Sequence, residues 1–118
     1  LSLYSVVLHE LGHGLNFLTF VNISTGALFN GNPDIFATFL FDQGTNTAWL
    51  AMTDAQRSAS AIGGNLFWSG ANAKAAGIDL PLTSGQDGVT GNVEMYAPAA
   101  LSGGSSVSHW DTGLAPDE

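Results

Sequence analysis

The stretch SVVLHELGHGLNF, near the start of the chain, places two histidines four residues apart with a glutamate directly after the first. Residues four apart lie on one face of an α-helix, with Cβ atoms about 5–6 Å apart. His9 and His13 would therefore present their imidazoles side by side on a helix over residues 2–14. This spacing constrains the chain more than any other feature, because it requires a helix whose polar face carries chemistry.

The opposite side of this helix is apolar. At about 100° per residue, five residues occupy an arc that faces away from the histidines, namely Leu3, Val7, Leu8, Leu11 and Leu15. An amphipathic helix buries such an arc against a partner layer. We therefore expect the arc to be the core side of the helix.

The pattern HExxH is typical of zinc hydrolases. Two imidazole nitrogens on one helical face can converge on one ion at about 2.0–2.1 Å. Glu10 lies about 60° around the helix from His13, so it is better placed to act on a water molecule than to bind the ion. The motif predicts His9 and His13 as zinc ligands and Glu10 as the general base. A helix with two surface histidines and an exposed acid is the plainer alternative.

A catalytic zinc ion normally has three protein ligands and a water molecule, so a third ligand must be found. No glutamate occurs between Glu10 and Glu94, which excludes a thermolysin-like scheme with a glutamate on the following helix. The remaining candidates are His109, Glu94 and Asp111. Glu94 is equally well a solvated strand residue, and Asp111 is expected to cap a turn or to accept a hydrogen bond from His109.

Three motifs make the chain resemble the leishmanolysin-like metzincins and their secreted bacterial relatives: HELGHGLNF at 9–17, SHW at 108–110 and PDE at 116–118. LFWSG and MYAP add to the resemblance. Compact metzincins continue as HExxHxxGxxH, but here Asn16 stands at the glycine position and Thr19 at the third histidine. The leishmanolysin-like proteins place a long insertion before the third histidine, which implies that His109 completes the zinc site.

The resemblance also implies an architecture. The fold expected is α+β, a zincin or metzincin-like catalytic domain fragment with an active-site helix at 1–16, a long mixed insertion at 17–104 and a third-ligand segment at 105–118. We expect a single partial metallopeptidase domain that ends just before the methionine turn. Upstream and downstream segments of the same chain would complete it, and an upstream sheet would cover the apolar arc. Without that sheet, the chain should be marginally stable and should associate through the arc.

Turn and cap signals predict the other elements. Thr53 or Asp54 should cap a helix that stops at the glycines at 63–64. The stretch 35–41 is ambiguous between strand and helix, and 17–22 is β-prone. Further predictions are a strand in NLFWSG, a helix in ANAKAAG ending at Gly77, and a strand in VEMYAP.

Composition limits the partners. Apolar residues make up 45 % of the 118 residues and charged residues 10 %, which indicates a globular chain. A net charge of −8 argues against nucleic acid and anionic membranes. No apolar run approaches the ~18 residues of a membrane span, and the absence of cysteine excludes disulfides and thiolate ligands. An auxiliary calcium site is left open but has no support, since no DxDxDG-type loop occurs.

Together, these observations predict a secreted, zinc-dependent endopeptidase that acts on protein or peptide substrates. His9, His13 and His109 would bind one zinc ion, and Glu10 would activate the attacking water. Two alternatives stay open at this point. One is a zinc amidase or other hydrolase with a non-peptide substrate, and the other is a catalytically inactive, metal-stabilised adhesion module.

Overall fold

A four-stranded antiparallel sheet organises the part of the chain that the computed structural model describes, residues 2–79 and 85–111. Its strands are β1 (Leu40–Asp42), β2 (Thr47–Ala48), β3 (Leu66–Trp68) and β4 (Val93–Glu94). They lie in the order β2-β1-β3-β4. The PDE motif, and with it the third-ligand segment beyond Asp111, lies outside the described residues.

Three α-helices accompany the sheet within the described ranges: α1 (Leu3–Gly14), α2 (Asp54–Ser60) and α3 (Ala71–Asp79). The side chain of Ser2 caps α1 by accepting a hydrogen bond from the Ser5 amide. Thr53 and Gln56 form a reciprocal capping box at the start of α2, as the sequence predicted for Thr53. The expected α+β class is therefore confirmed at the level of helices and an antiparallel sheet.

The hydrophobic core lies entirely within the stretch between the helix α1 and His109. Its largest fully buried side chains are Trp49, Phe36, Leu40, Leu66, Met95 and Val107. Arg57 is also buried, because its guanidinium donates to the carbonyls of Gly26, Trp49 and Met52 and pairs with Asp54. The long insertion thus has a packed core of its own, which holds its two ends near each other.

The apolar arc of α1 does not face this core. No described residue of α1 is buried, and Leu3 and Leu15 expose 80 % and 82 % of their surface. Within the described residues no layer covers the arc, which agrees with the expectation that an upstream sheet would cover it; that the arc is the core side stays a prediction. The histidine face of α1 contacts His109 of the third-ligand segment. Association through the arc stays a prediction.

Several local expectations need correction. Residues 17–22 form no strand, although Asn22 makes an isolated bridge with Ala27. The ambiguous stretch 35–41 divides into a short 3-10 helix, Ala37–Phe39, and the start of β1. The helix α2 ends at Ser60, before the glycines at 63–64, and α3 continues to Asp79 rather than stopping at Gly77. Boundaries shift in this way because tertiary packing outweighs local propensity.

Among the described residues, no helix is both long enough and apolar enough to cross a membrane.

Candidate metal centre

The side chains of His9, His13 and His109 meet at one point. The Nε2 atom of His13 lies 3.2 Å from that of His9 and 3.1 Å from that of His109, and the His9 and His109 Nε2 atoms are 3.1 Å apart. His9 is exposed, whereas the other two are half-buried. In the described part of the chain, no other group of three or more histidine and acidic side chains converges in this way.

This geometry suits a tetrahedral ion. Zinc at about 2.0–2.1 Å from each nitrogen, with tetrahedral angles, holds its ligand nitrogens roughly 3.3 Å apart. The observed separations of 3.1 and 3.2 Å are close to that value. The three rings are also turned relative to one another, by 81° between His9 and His13 and by 59° between His13 and His109. Three imidazoles and an open side form a donor set typical of a catalytic zinc site.

The end of α1 orients the imidazole of His13. Asn16 has φ of 70°, and the amides of Asn16 and Phe17 donate to the carbonyls of His13 and Gly12. This is a Schellman motif with asparagine at the left-handed position. The turn brings the Phe17 carbonyl to 2.9 Å from His13 Nδ1. Because a carbonyl only accepts, Nδ1 carries the proton and Nε2 keeps its lone pair for a metal.

The segment that carries His109 is held by the main chain of Tyr96. The Val107 amide donates to the Tyr96 carbonyl, and the Tyr96 amide donates to the His109 carbonyl, each at 2.8 Å. Val107 is fully buried and has φ of 72°, which is rare for a β-branched residue. The reversal there brings His109 Nδ1 to 2.9 Å from the Ser105 carbonyl, so this ring also has a defined tautomer.

A further polar contact joins the chain after α1 to this segment. The Thr19 amide donates to Ser108 Oγ at 3.3 Å, and the Thr19 hydroxyl donates to Asp34 Oδ2 at 2.8 Å. Thr19 stands where compact metzincins have their third histidine. In this chain it contacts the residue next to His109 instead.

The two carboxylate candidates for the third ligand position do not join the cluster. Neither Glu94 nor Asp111 converges with the histidine nitrogens. Asp111 was expected either to cap a turn or to accept a hydrogen bond from His109, and the acceptor that lies at His109 Nδ1 is the Ser105 carbonyl, at 2.9 Å. The Asp111 amide donates to the Glu94 carbonyl. Partial burial and the charge of Asp111 together raise the pKa of Glu94.

Electrostatics favour a neutral His109. Burial lowers the pKa of this imidazole, and the neighbouring His13 and His9 lower it further. The Ser105 carbonyl and the charge of Glu10 act in the opposite direction on the same pKa. Glu10 is exposed on α1, and its charge reaches His109, since it raises the pKa of that imidazole.

A cavity of about 570 Å³ gives access to the histidines. Leu8 and Gly12 of α1 line one side, and Trp110 lines the side that belongs to the third-ligand segment. A ligand can therefore reach the site from this side.

Sequence reasoning missed the two carbonyl groups that orient the rings. They belong to Phe17 and Ser105, and each lies four residues from the histidine that it contacts. A main-chain acceptor leaves no residue-type signal in the sequence. The only clue was Asn16, since asparagine tolerates the positive φ that the Phe17 carbonyl contact requires.

Comparison with protein-family models, with curated proteins and with solved structures found no match to this chain.

Proposed function

We propose that this chain is the catalytic part of a secreted zinc endopeptidase with a metzincin-like architecture and a long insertion before the third ligand. The observation that carries the proposal is the meeting of His9, His13 and His109 with all three Nε2 atoms within 3.2 Å of one another. Two of them belong to an HExxH helix, and the third belongs to the SHW motif. The leishmanolysin-like resemblance supports the same three ligands.

The chemistry follows from the donor set. A bound zinc ion would acidify a water molecule and polarise the carbonyl of the scissile peptide bond. His9, His13 and His109 would hold the ion through neutral imidazoles. Glu10 would take the proton from the attacking water and transfer it to the leaving amine. The cavity beside Trp110, which all three histidines line, would give a peptide access to the bound ion.

The role of Glu10 separates this proposal from a metal site without catalysis. We expect Glu10→Gln to reduce peptidase activity of the full-length protein by at least about 100-fold, in keeping with a lost general base. Its zinc content should stay at that of the wild type, because Glu10 acts on the water and not on the ion. Zinc is measured by atomic emission and activity with quenched peptide libraries.

Glu94→Gln is the matched control, because it makes the same change at a glutamate outside the histidine cluster. It should keep both zinc and activity. Loss of zinc in Glu10→Gln would show that the role given to Glu10 is wrong. If the wild type binds zinc but cleaves only non-peptide amides, the amidase alternative holds. Zinc binding without any turnover would instead favour the inactive adhesion module.

A further inference from the structure

The side chain of Phe17 lies between the two parts of the chain that supply the histidines. Its ring is 5.0 Å from the ring of Trp110, measured between centroids. On its other sides it contacts Phe36 at 5.0 Å and Trp68 at 5.4 Å. Phe17 is half-buried, and it belongs to the turn that follows α1.

The main chain of Trp110 is paired with that of a buried residue. It forms a bridge with Met95, which is only 1 % exposed, and it directly follows His109. Because Trp110 directly follows His109, a shift of Trp110 that includes its main chain also moves the backbone that carries His109. On the other side, the Phe17 carbonyl contacts His13 Nδ1 at 2.9 Å. One residue thus contacts a candidate ligand through its main chain and the neighbour of a second candidate ligand through its side chain.

We propose that Phe17 is a positioning residue of the metal site, setting the separation between His13 on α1 and His109 on its distant segment. This inference rests on the proposed function only in that the histidine cluster binds a metal ion. Phe17 is not one of the candidate ligands. Its side chain acts through Trp110, whereas its main-chain carbonyl, which any substitution of the ring keeps, contacts His13 Nδ1.

The physical reason is the spacing that the aromatic ring maintains. Interiors are close-packed, so a smaller side chain leaves a gap into which its neighbours relax. If Phe17 becomes leucine, Trp110 can shift toward the gap and the nitrogens of His13 and His109 lose their 3.1 Å separation. Residues that orient metal ligands typically change metal affinity by about 10- to 100-fold when they are replaced.

The test measures metal binding rather than activity. We expect Phe17→Leu to weaken zinc binding by about 10- to 100-fold, measured by competition with a chromophoric chelator at a temperature where the protein remains folded. The visible spectrum of bound Co²⁺ should change as well, since it reports the ligand geometry. A purely structural role would lower the thermal midpoint without altering the Co²⁺ spectrum.

Phe39→Leu is the matched control. Phe39 contacts Trp68 of the same aromatic cluster, with ring centroids 5.0 Å apart. The change should lower stability to a similar extent but leave zinc affinity within about threefold and the Co²⁺ spectrum unchanged. Equal losses of affinity in both variants would overturn the proposal, because the whole cluster and not Phe17 would then be responsible.

A double-mutant cycle with Trp110→Leu tests the route of the effect. If Phe17 acts through Trp110, the double variant should bind zinc no more than about threefold more weakly than the worse single variant. If the two single losses of zinc affinity multiply in the double variant, Phe17 does not act through Trp110 and the proposal is contradicted.

The outcomes also separate the two proposals. A wild type that binds zinc without peptidase activity would refute the proposed function alone, and unchanged zinc binding in Phe17→Leu would refute this inference alone. Absence of zinc binding in the wild type would refute both.

Discussion

Asn16 ends the histidine-bearing helix in a conformation that few side chains adopt easily. Its φ of 70° closes the Schellman motif and directs the Phe17 carbonyl toward His13. After glycine, asparagine is among the residues that tolerate this region best, because its short polar side chain can form local hydrogen bonds. The turn therefore forms without glycine, and a backbone angle is coupled to the orientation of a candidate ligand.

A substitution series at Asn16 tests this coupling. Asn16→Gly should leave zinc affinity unchanged, because glycine adopts positive φ without strain. Asn16→Val should lower the free energy of unfolding by about 1–2 kcal/mol and should also weaken zinc binding. Stability is measured by urea denaturation and zinc affinity by chelator competition.

Asn46→Val provides the comparison, since Asn46 has φ of 54° in the turn between β1 and β2, away from the histidines. It should lose similar stability but keep its zinc affinity. If both valine variants bind zinc equally well, Asn16 has no influence on His13.

The segment 105–111 behaves as an irregular fifth strand beside β4. The Asp111 amide donates to the Glu94 carbonyl, and Val107 and His109 exchange hydrogen bonds with Tyr96. Val107 takes part in this pairing with a left-handed φ of 72°, and two residues later the imidazole of His109 contacts the histidines of α1. Such strain typically costs about 1–3 kcal/mol and is concentrated at functional sites. The contact between Thr19 and Ser108 fastens the segment to the chain after α1.

Ser108→Ala should loosen this attachment. Removing the hydroxyl leaves the half-buried Thr19 amide without its acceptor, which we expect to cost about 1 kcal/mol. The zinc dissociation rate should increase several-fold, because the segment with His109 moves more freely. Stopped-flow transfer of zinc to a chelator measures this rate.

The matched change is Ser69→Ala, where the hydroxyl donates to the Phe39 carbonyl at 2.9 Å. A comparable loss of stability with an unaltered zinc dissociation rate is expected there. If Ser69→Ala accelerates dissociation as much as Ser108→Ala, the effect reflects global stability only.

Considered as a whole, the molecule brings together candidate ligands from positions 96 residues apart, so metal binding at these histidines would be coupled to folding. Protonation of His109 also affects the stability of the folded chain. The pKa of His109 is lowered in the folded chain, mainly by burial, whereas an unfolded histidine titrates near its ordinary value of 6.5. As pH falls from 6.5 through the folded pKa, the unfolded chain binds more protons, so stability decreases.

Zinc should therefore stabilise the protein in a pH-dependent manner. At pH 7.5, zinc at about 100 times its dissociation constant should add roughly 2.7 kcal/mol and raise the melting temperature by several degrees. At pH 5 the increase should be much smaller, because the ligands must be deprotonated. Differential scanning calorimetry with zinc and with a chelator measures both.

His13→Ala is the control for this experiment, since it removes the histidine that contacts both other rings. It should show no zinc-dependent increase at either pH. An increase of equal size at pH 5 and 7.5, or in His13→Ala, would indicate that zinc binds elsewhere.

Local patterns in the chain were enough to predict the first helix, the capped helix at Thr53 and the strand at Leu66–Trp68. Each rests on interactions between residues close in sequence, which periodicity and capping chemistry reveal. The meeting of His9 and His13 on one helical face follows from the same local spacing, and the role of Glu10 stays a prediction. Choosing His109 over Glu94 and Asp111 required the resemblance of SHW to a known motif.

The features that local patterns did not predict depend on contacts between segments that are distant in the sequence. The burial of Trp49 and Arg57 within the insertion, and the exposure of the α1 arc, depend on how the insertion packs. The acceptors for His13 and His109 are main-chain carbonyls, which every residue carries and no sequence pattern distinguishes. A histidine 96 positions away reaches the site because the insertion's own core offsets the entropy of closing so long a loop, a cost that grows only logarithmically with length.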